Sequence, residues 1–155
     1  MTGQLSAFQG KSVVVTGHSG FKGAWLTSWL KHLGANVHGL SISVPTEPSL
    51  FGDLGGEQFQ HTTWLDVCDI ELVTEQLNAY QPDYVFHLAA QPIVQESFAD
   101  PVTTWRTNTL GTVSMLEAIR RSALTSSNVV MITSDKVYRN QEWLWGYREG
   151  DELGG

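Results

Sequence analysis

The stretch KSVVVTGHSGFKG, residues 11–23, constrains this chain more than any other. Its valine run reads as a short strand buried on both faces, the mark of a parallel sheet. Gly17, Gly20 and Gly23 follow as G-x-x-G-x-x-G, and a helical pattern begins at once. Strand, glycine turn and helix in succession form a phosphate cradle. The first glycine turns the chain sharply, the second lets backbone amides approach a pyrophosphate, and the third lets helix and sheet pack closely. Alone, the triplet could mark only a tight turn. Its place between strand and helix favours a nucleotide.

The same alternation continues. Phe21, Trp25, Trp29 and Leu33 recur every four residues as one helix face, read as core, and Gly34 stands where the helix should stop. NVHGLSI (36–42) is a second strand, residues 43–58 with Pro45 and Pro48 a loop, and FQHTTWLDV (59–67) a third strand. Asp69 caps a helix carrying Ile70, Val73, Leu77 and Tyr80. PDYVFHLAA (82–90) is a fourth strand and QPIVQESFAD a loop. Asp100-Pro101 opens a helix in which Val102, Trp105, Thr109, Val113, Leu116, Ile119 and Ala123 form a long stripe, expected to be buried. NVVMITS (128–134) is a fifth strand, and the text beyond it is an irregular segment crossing the top of the sheet. The fold class is therefore α/β, a doubly wound, Rossmann-like parallel sheet with helices on both faces.

Charge narrows the partners. Nine Lys and Arg against sixteen Asp and Glu give −7, which disfavours non-specific binding to nucleic acid or anionic membranes. A single cysteine, Cys68, no long apolar run and no leader-like pattern in MTGQLSAFQG favour the cytoplasm. His32, His38 and His61 are scattered, so no metal site is expected. The acid that usually holds an adenosine ribose about 20 residues past the glycine loop is missing. VHGLSIS offers only Ser41, a weaker contact, and leaves NAD and NADP equally open. Asp66 either accepts from an adenine amine or forms a turn.

TGHSGFKG, HLAAQP, NTLGT and TSDKVY together resemble the extended short-chain dehydrogenase/reductase family. More narrowly, GFKGAWL, PTEPSLF, FHLAAQPIVQESFADP and WGYREGDELGG are similar to nucleotide-sugar 4,6-dehydratases. The resemblance implies a tightly held NAD, a nucleotide-sugar substrate with CDP-glucose expected, a 4-keto-6-deoxy product and a homodimer. By match, Gly17, Gly20, Phe21 and Gly23 form the pyrophosphate loop, with Ser41 near the ribose and Asp66-Val67 at the adenine. Leu88, Ala89 and Ala90 line the cofactor, Asn108 is a structural asparagine, and Gln91 and Ser97 contact substrate. Ser134, Asp135 and Lys136 take the catalytic positions, at the ends of strands expected to be central neighbours of the glycine loop. Ser134 would hydrogen-bond the C4 oxygen and Asp135 would protonate the departing C6 hydroxyl. Lys136 would remove the C5 proton or stabilise the enolate.

The family's Tyr-x-x-x-Lys pair occurs nowhere in the chain. The expectation is an N-terminal part of a dinucleotide-binding domain, incomplete at its C-terminal side and inactive alone. Another nucleotide-sugar dehydratase, an epimerase or a noncatalytic dinucleotide-binding module are the alternative readings.

Overall fold

The computed structural model describes residues 5–58 and 61–154. Five strands, β1 (Ser12–Thr16), β2 (Asn36–Ser41), β3 (His61–Trp64), β4 (Tyr84–His87) and β5 (Asn128–Met131), form one parallel sheet in the order β3-β2-β1-β4-β5. The helices are α1 (Phe21–His32), α2 (Leu50–Asp53), α3 (Ile70–Tyr80), α4 (Val94–Ala99), α5 (Pro101–Trp105) and α6 (Gly111–Arg121). A π-helical turn, Arg106–Leu110, joins α5 to α6.

The valines of β1 explain the layers. Val14 meets Leu40 and Val85 on the face covered by Val73 and Leu77 of α3 and Met115 and Ala118 of α6. Val13 and Val15 meet Val37 on the opposite face, under Leu30 of α1. Side chains alternate along a strand, so a continuous apolar run fills two cores at once. Each such residue contributes about 1.5–3 kcal/mol on burial. The chain leaves β1 towards β2 on one side and returns to β4 on the other. The switch point of the sheet therefore lies between β1 and β4, where open α/β sheets bind ligands.

Several local expectations hold. Asp69 accepts from Leu72 N at 3.1 Å, Asp100 accepts from Thr103 N at 3.0 Å, and Gly34 closes α1 with φ +83°. Others are corrected. Phe21, Trp25 and Trp29 are 70%, 58% and 59% exposed; α1 buries Gly23, Ala24, Thr27 and Leu30 instead. Large rings cannot enter so close a helix–sheet contact, so the small-residue face goes inward. The stripe over 102–123 is also exposed at Val102, Trp105, Val113 and Leu116. The π turn adds a residue and rotates the buried face onto Gly111, Ser114, Met115 and Ala118.

The loop 43–58 contains α2, whose cap is Ser49 accepting from Gly52 N at 3.1 Å. The loop after β4 contains α4. Residues 59 and 60 of the expected third strand lie outside the described residues, as do residues 1–4 and Gly155. β5 is not beside β1: β4 lies between them, and β5 is the edge strand, with Val129 and Val130 exposed.

Candidate active site

The crevice above β1 and β4 is built by the glycine loop. Gly17 has φ +69°, which favours glycine, and a Cβ there would stand 2.8–2.9 Å from the backbone of Leu88 and Ala89. A Cβ on Gly23 would overlap the carbonyl oxygen of Gly17. Helix, loop and β4 exit thus touch backbone to backbone. Gly20 is the N-cap of α1 and offers no side-chain cap. The first-turn N–H groups and the positive end of this 12-residue helix are left for an acceptor from outside the helix. A cradle that a Cβ would fill, below an uncapped helix, fits a dinucleotide pyrophosphate.

Two buried histidines absent from the sequence reading fix this crevice. His18 lies inside the loop and is fully buried. Its Nδ1 is 2.8 Å from Ser41 Oγ and its Nε2 3.1 Å from Thr62 Oγ1, which ties the loop to β2 and β3. Its ring lies where a Cβ on Gly39 would be, edge-on to Phe51. His87 ends β4, with Nδ1 2.8 Å from Thr16 Oγ1. Burial pushes both imidazoles down to about 4, so both are neutral at pH 7. A histidine inside the loop and another ending an apolar strand were the available signals.

The structure places the other expected residues as follows. Phe21 opens α1 and is exposed. Ser41 is buried at the end of β2, with its hydroxyl engaged by His18 and, at 3.4 Å, by Ser19 N. Asp66 makes the turn, accepting from Cys68 N at 2.9 Å, and its other oxygen pairs with Arg106 Nη2 at 2.7 Å. Burial raises its pKa, but the Cys68 N–H and the Arg106 guanidinium outweigh that and hold it below the usual carboxylate value. Val67 is buried against the position of Gly111. Cys68 is driven up by burial and by Asp66, which suits an inert thiol.

Leu88 and Ala89 donate their N–H groups to Thr16 Oγ1, each at 3.1 Å, and Ala90 follows, exposed at the crevice rim. Asn108 sits in the π turn and clasps Gln91 twice, accepting from its N–H at 2.8 Å and donating to its carbonyl at 3.0 Å. The Gln91 side chain turns to Thr104 and Ile93, and Ser97 Oγ donates to Val94 O within α4. Ser134 accepts from Lys136 N at 3.0 Å, capping a short 3-10 turn at Asp135–Val137. The side chain of Asp135 lies outside the described residues. Among the described residues no cluster suits a metal ion, and no helix is long and apolar enough to cross a membrane.

Comparison with known proteins gives the same picture. The family model described as GDP-mannose 4,6 dehydratase matches residues 14–144. The chain is 45% identical over 148 residues to a CDP-glucose 4,6-dehydratase of Salmonella typhimurium, covering 96% of this chain and 41% of that protein. The epimerase Mth375 of Methanothermobacter thermautotrophicus superposes with a TM-score of 0.77 at 28% identity, covering 96% of this chain and 42% of that one. UDP-glucose 4-epimerase from Brucella ovis, solved in complex with NAD, superposes with a TM-score of 0.74 at 26% identity, covering 92% and 41%. The chain thus spans about two fifths of the length of each.

Proposed function

This chain belongs to the GDP-mannose 4,6 dehydratase family, and we propose that it is the NAD-holding part of a nucleotide-sugar 4,6-dehydratase acting on CDP-glucose. The observation that carries the cofactor is the glycine cradle under the uncapped end of α1. The NAD bound to a structural relative supports the choice of dinucleotide. The substrate rests on the 45% identity to a CDP-glucose 4,6-dehydratase.

In this reading the first-turn amides of α1 hold the pyrophosphate. Asp66 faces the adenine, and Leu88, Ala89 and Ala90 wall the dinucleotide. Bound NAD supplies a hydride acceptor and donor. Ser134, at the C-terminal side of β5, is the hydroxyl that would hydrogen-bond the C4 oxygen of the sugar, with Asp135 the acid and Lys136 the base or enolate stabiliser. The ends of β1 and β5 are separated by β4, whose exit carries the wall between them. That spacing suits a cofactor lying over β4 with the sugar beyond it.

The same edge supports the domain reading. Exposed Val129 and Val130 on β5 suit pairing and packing with further chain, which would bring the Tyr-x-x-x-Lys pair. Residues 1–155 alone would then bind NAD without turning over sugar. The exposed stripe at Val102, Trp105, Val113 and Leu116 is the face through which two copies would pair. The test of function is turnover by the whole protein of CDP-glucose, dTDP-glucose and GDP-mannose, followed by the 4-keto product. CDP-glucose should be preferred by at least about tenfold in kcat/KM, roughly the value of one good hydrogen bond in the transition state. Equal or better use of another sugar nucleotide would overturn the substrate.

A further inference from the structure

We propose that His87 is held as the neutral imidazole bearing its proton on Nε2, and that through Thr16 it positions the Leu88–Ala89 wall of the dinucleotide site. The second half rests on the reading of that wall given above.

The tautomer follows from counting lone pairs. A threonine hydroxyl has two lone pairs and one hydrogen. Thr16 Oγ1 receives the N–H of Ala89 at 3.1 Å and shares the N–H of Leu88, also at 3.1 Å, with the Thr16 carbonyl at 3.2 Å, so both of its lone pairs face donors. Its hydrogen is left for His87 Nδ1 at 2.8 Å. Nδ1 therefore accepts and carries no proton, and the proton of the neutral ring is on Nε2. Thr16 and His87 are buried, so water does not compete for these bonds. An imidazolium would point an N–H at an oxygen whose lone pairs already face donors.

The consequence reaches the site through backbone. Without an acceptor at position 87 the Thr16 hydroxyl hydrogen is buried and unpaired, and the hydroxyl rotates to find another acceptor. Rotation takes its lone pairs away from the Ala89 N–H, while Leu88 keeps the Thr16 carbonyl at 3.2 Å. Those two residues are the backbone against which Gly17 lies, with no room for a Cβ. His87 is thus a positioning residue, acting on the glycine loop from inside the sheet. Its Nε2 has no partner among the described residues, so this tautomer leaves the ring N–H unpaired, a cost set against the bonds gathered at Thr16 Oγ1.

The test uses the chain labelled with 15N-histidine. Two-bond 15N–1H correlation at pH 7 should give one buried histidine in the pure Nε2–H pattern, absent from His87→Asn. An Nδ1–H or imidazolium pattern at that residue overturns the tautomer. NAD affinity by calorimetry tests the positioning. Asn places an amide oxygen near Nδ1, so His87→Asn should bind within about twofold of the parent, whereas His87→Leu should lose about tenfold. Parent-like binding by the leucine variant, or equal loss by both, overturns the positioning role. If His87→Leu does not fold, a loss in His87→Asn alone overturns it. A parent chain with no NAD affinity would refute the wall reading and the positioning with it, while the NMR pattern judges the tautomer independently.

Discussion

Acidification from pH 7 to pH 5 should weaken this fold steeply, and two side chains set the size. His18 and His87 are buried, and burial lowers each from an ordinary 6.5 to about 4. Between those values the unfolded chain binds more protons than the native one. Stability therefore rises with pH across the window and is fully present above about 6.5. Protonating either ring in place costs about 3 kcal/mol. About 2 kcal/mol of each contribution is gone by pH 5, so the pair removes about 4 kcal/mol from a total of about 5–15 kcal/mol.

His38, lowered by burial and by His61, acts in the same direction. The depressed carboxylates Asp66, Asp83, Asp100 and Glu117 keep their contribution until pH falls through the ordinary carboxylate values, so they do not dominate this window. Urea unfolding at pH 7.5, 6.5, 5.5 and 5 measures the slope. His18→Asn and His87→Asn should each flatten it by about half. A chain whose free energy of unfolding is level from pH 7 to pH 5, or rises on acidification, would refute the reasoning.

Three further outcomes follow from the same contacts. Gly23→Ala should cost about 1–3 kcal/mol or more in urea unfolding, because the new methyl overlaps Gly17 O, whereas Gly20→Ala, 3.3 Å from the same oxygen, should cost far less. Asn108→Ala loses both bonds to Gln91 and should cost about 1–2 kcal/mol, with Asn108→Asp intermediate because it keeps the acceptor. Sedimentation should show concentration-dependent pairing of the chain, and Val113→Glu with Leu116→Lys should leave a monomer; unchanged pairing would move the interface elsewhere.

The sheet was legible because two-faced burial leaves a short, unmistakable run, as in VVV, and because Asp69 and Asp100 announce their helices. Which face of a helix turns inward was not legible from hydrophobicity alone. On α1 the aromatic spacing is regular, yet the tight glycine junction admits only Gly23, Ala24, Thr27 and Leu30. Along 101–121 the π turn breaks the phase, and no residue type in RTNTL marks it. The short α4 buries nothing among its described residues, so it leaves no periodic trace.

At the site, the glycines were readable by spacing, and Asn108 by its motif. The polar interior was not. Thr16, His18 and His87 act through partners 23 to 73 residues away, or through lone-pair counts that only the packed strands create. Ser41 was expected as a weak contact to the ribose, and its engagement by His18 was not expected.

The central claim is that the uncapped start of α1 holds a pyrophosphate, and Gly20→Asp tests it most directly. Position 20 has N-cap geometry, φ −73° and ψ 165°, for which aspartate is a favoured residue. The substitution should therefore preserve or raise the urea midpoint while setting a negative charge where the pyrophosphate would lie. Calorimetric titration with NAD should show one saturable site in the parent chain and at least about a hundredfold weaker binding in the variant, the cost of a like charge at close range. A parent chain that binds no NAD, or a stable Gly20→Asp chain that binds it as well as the parent, would contradict the account.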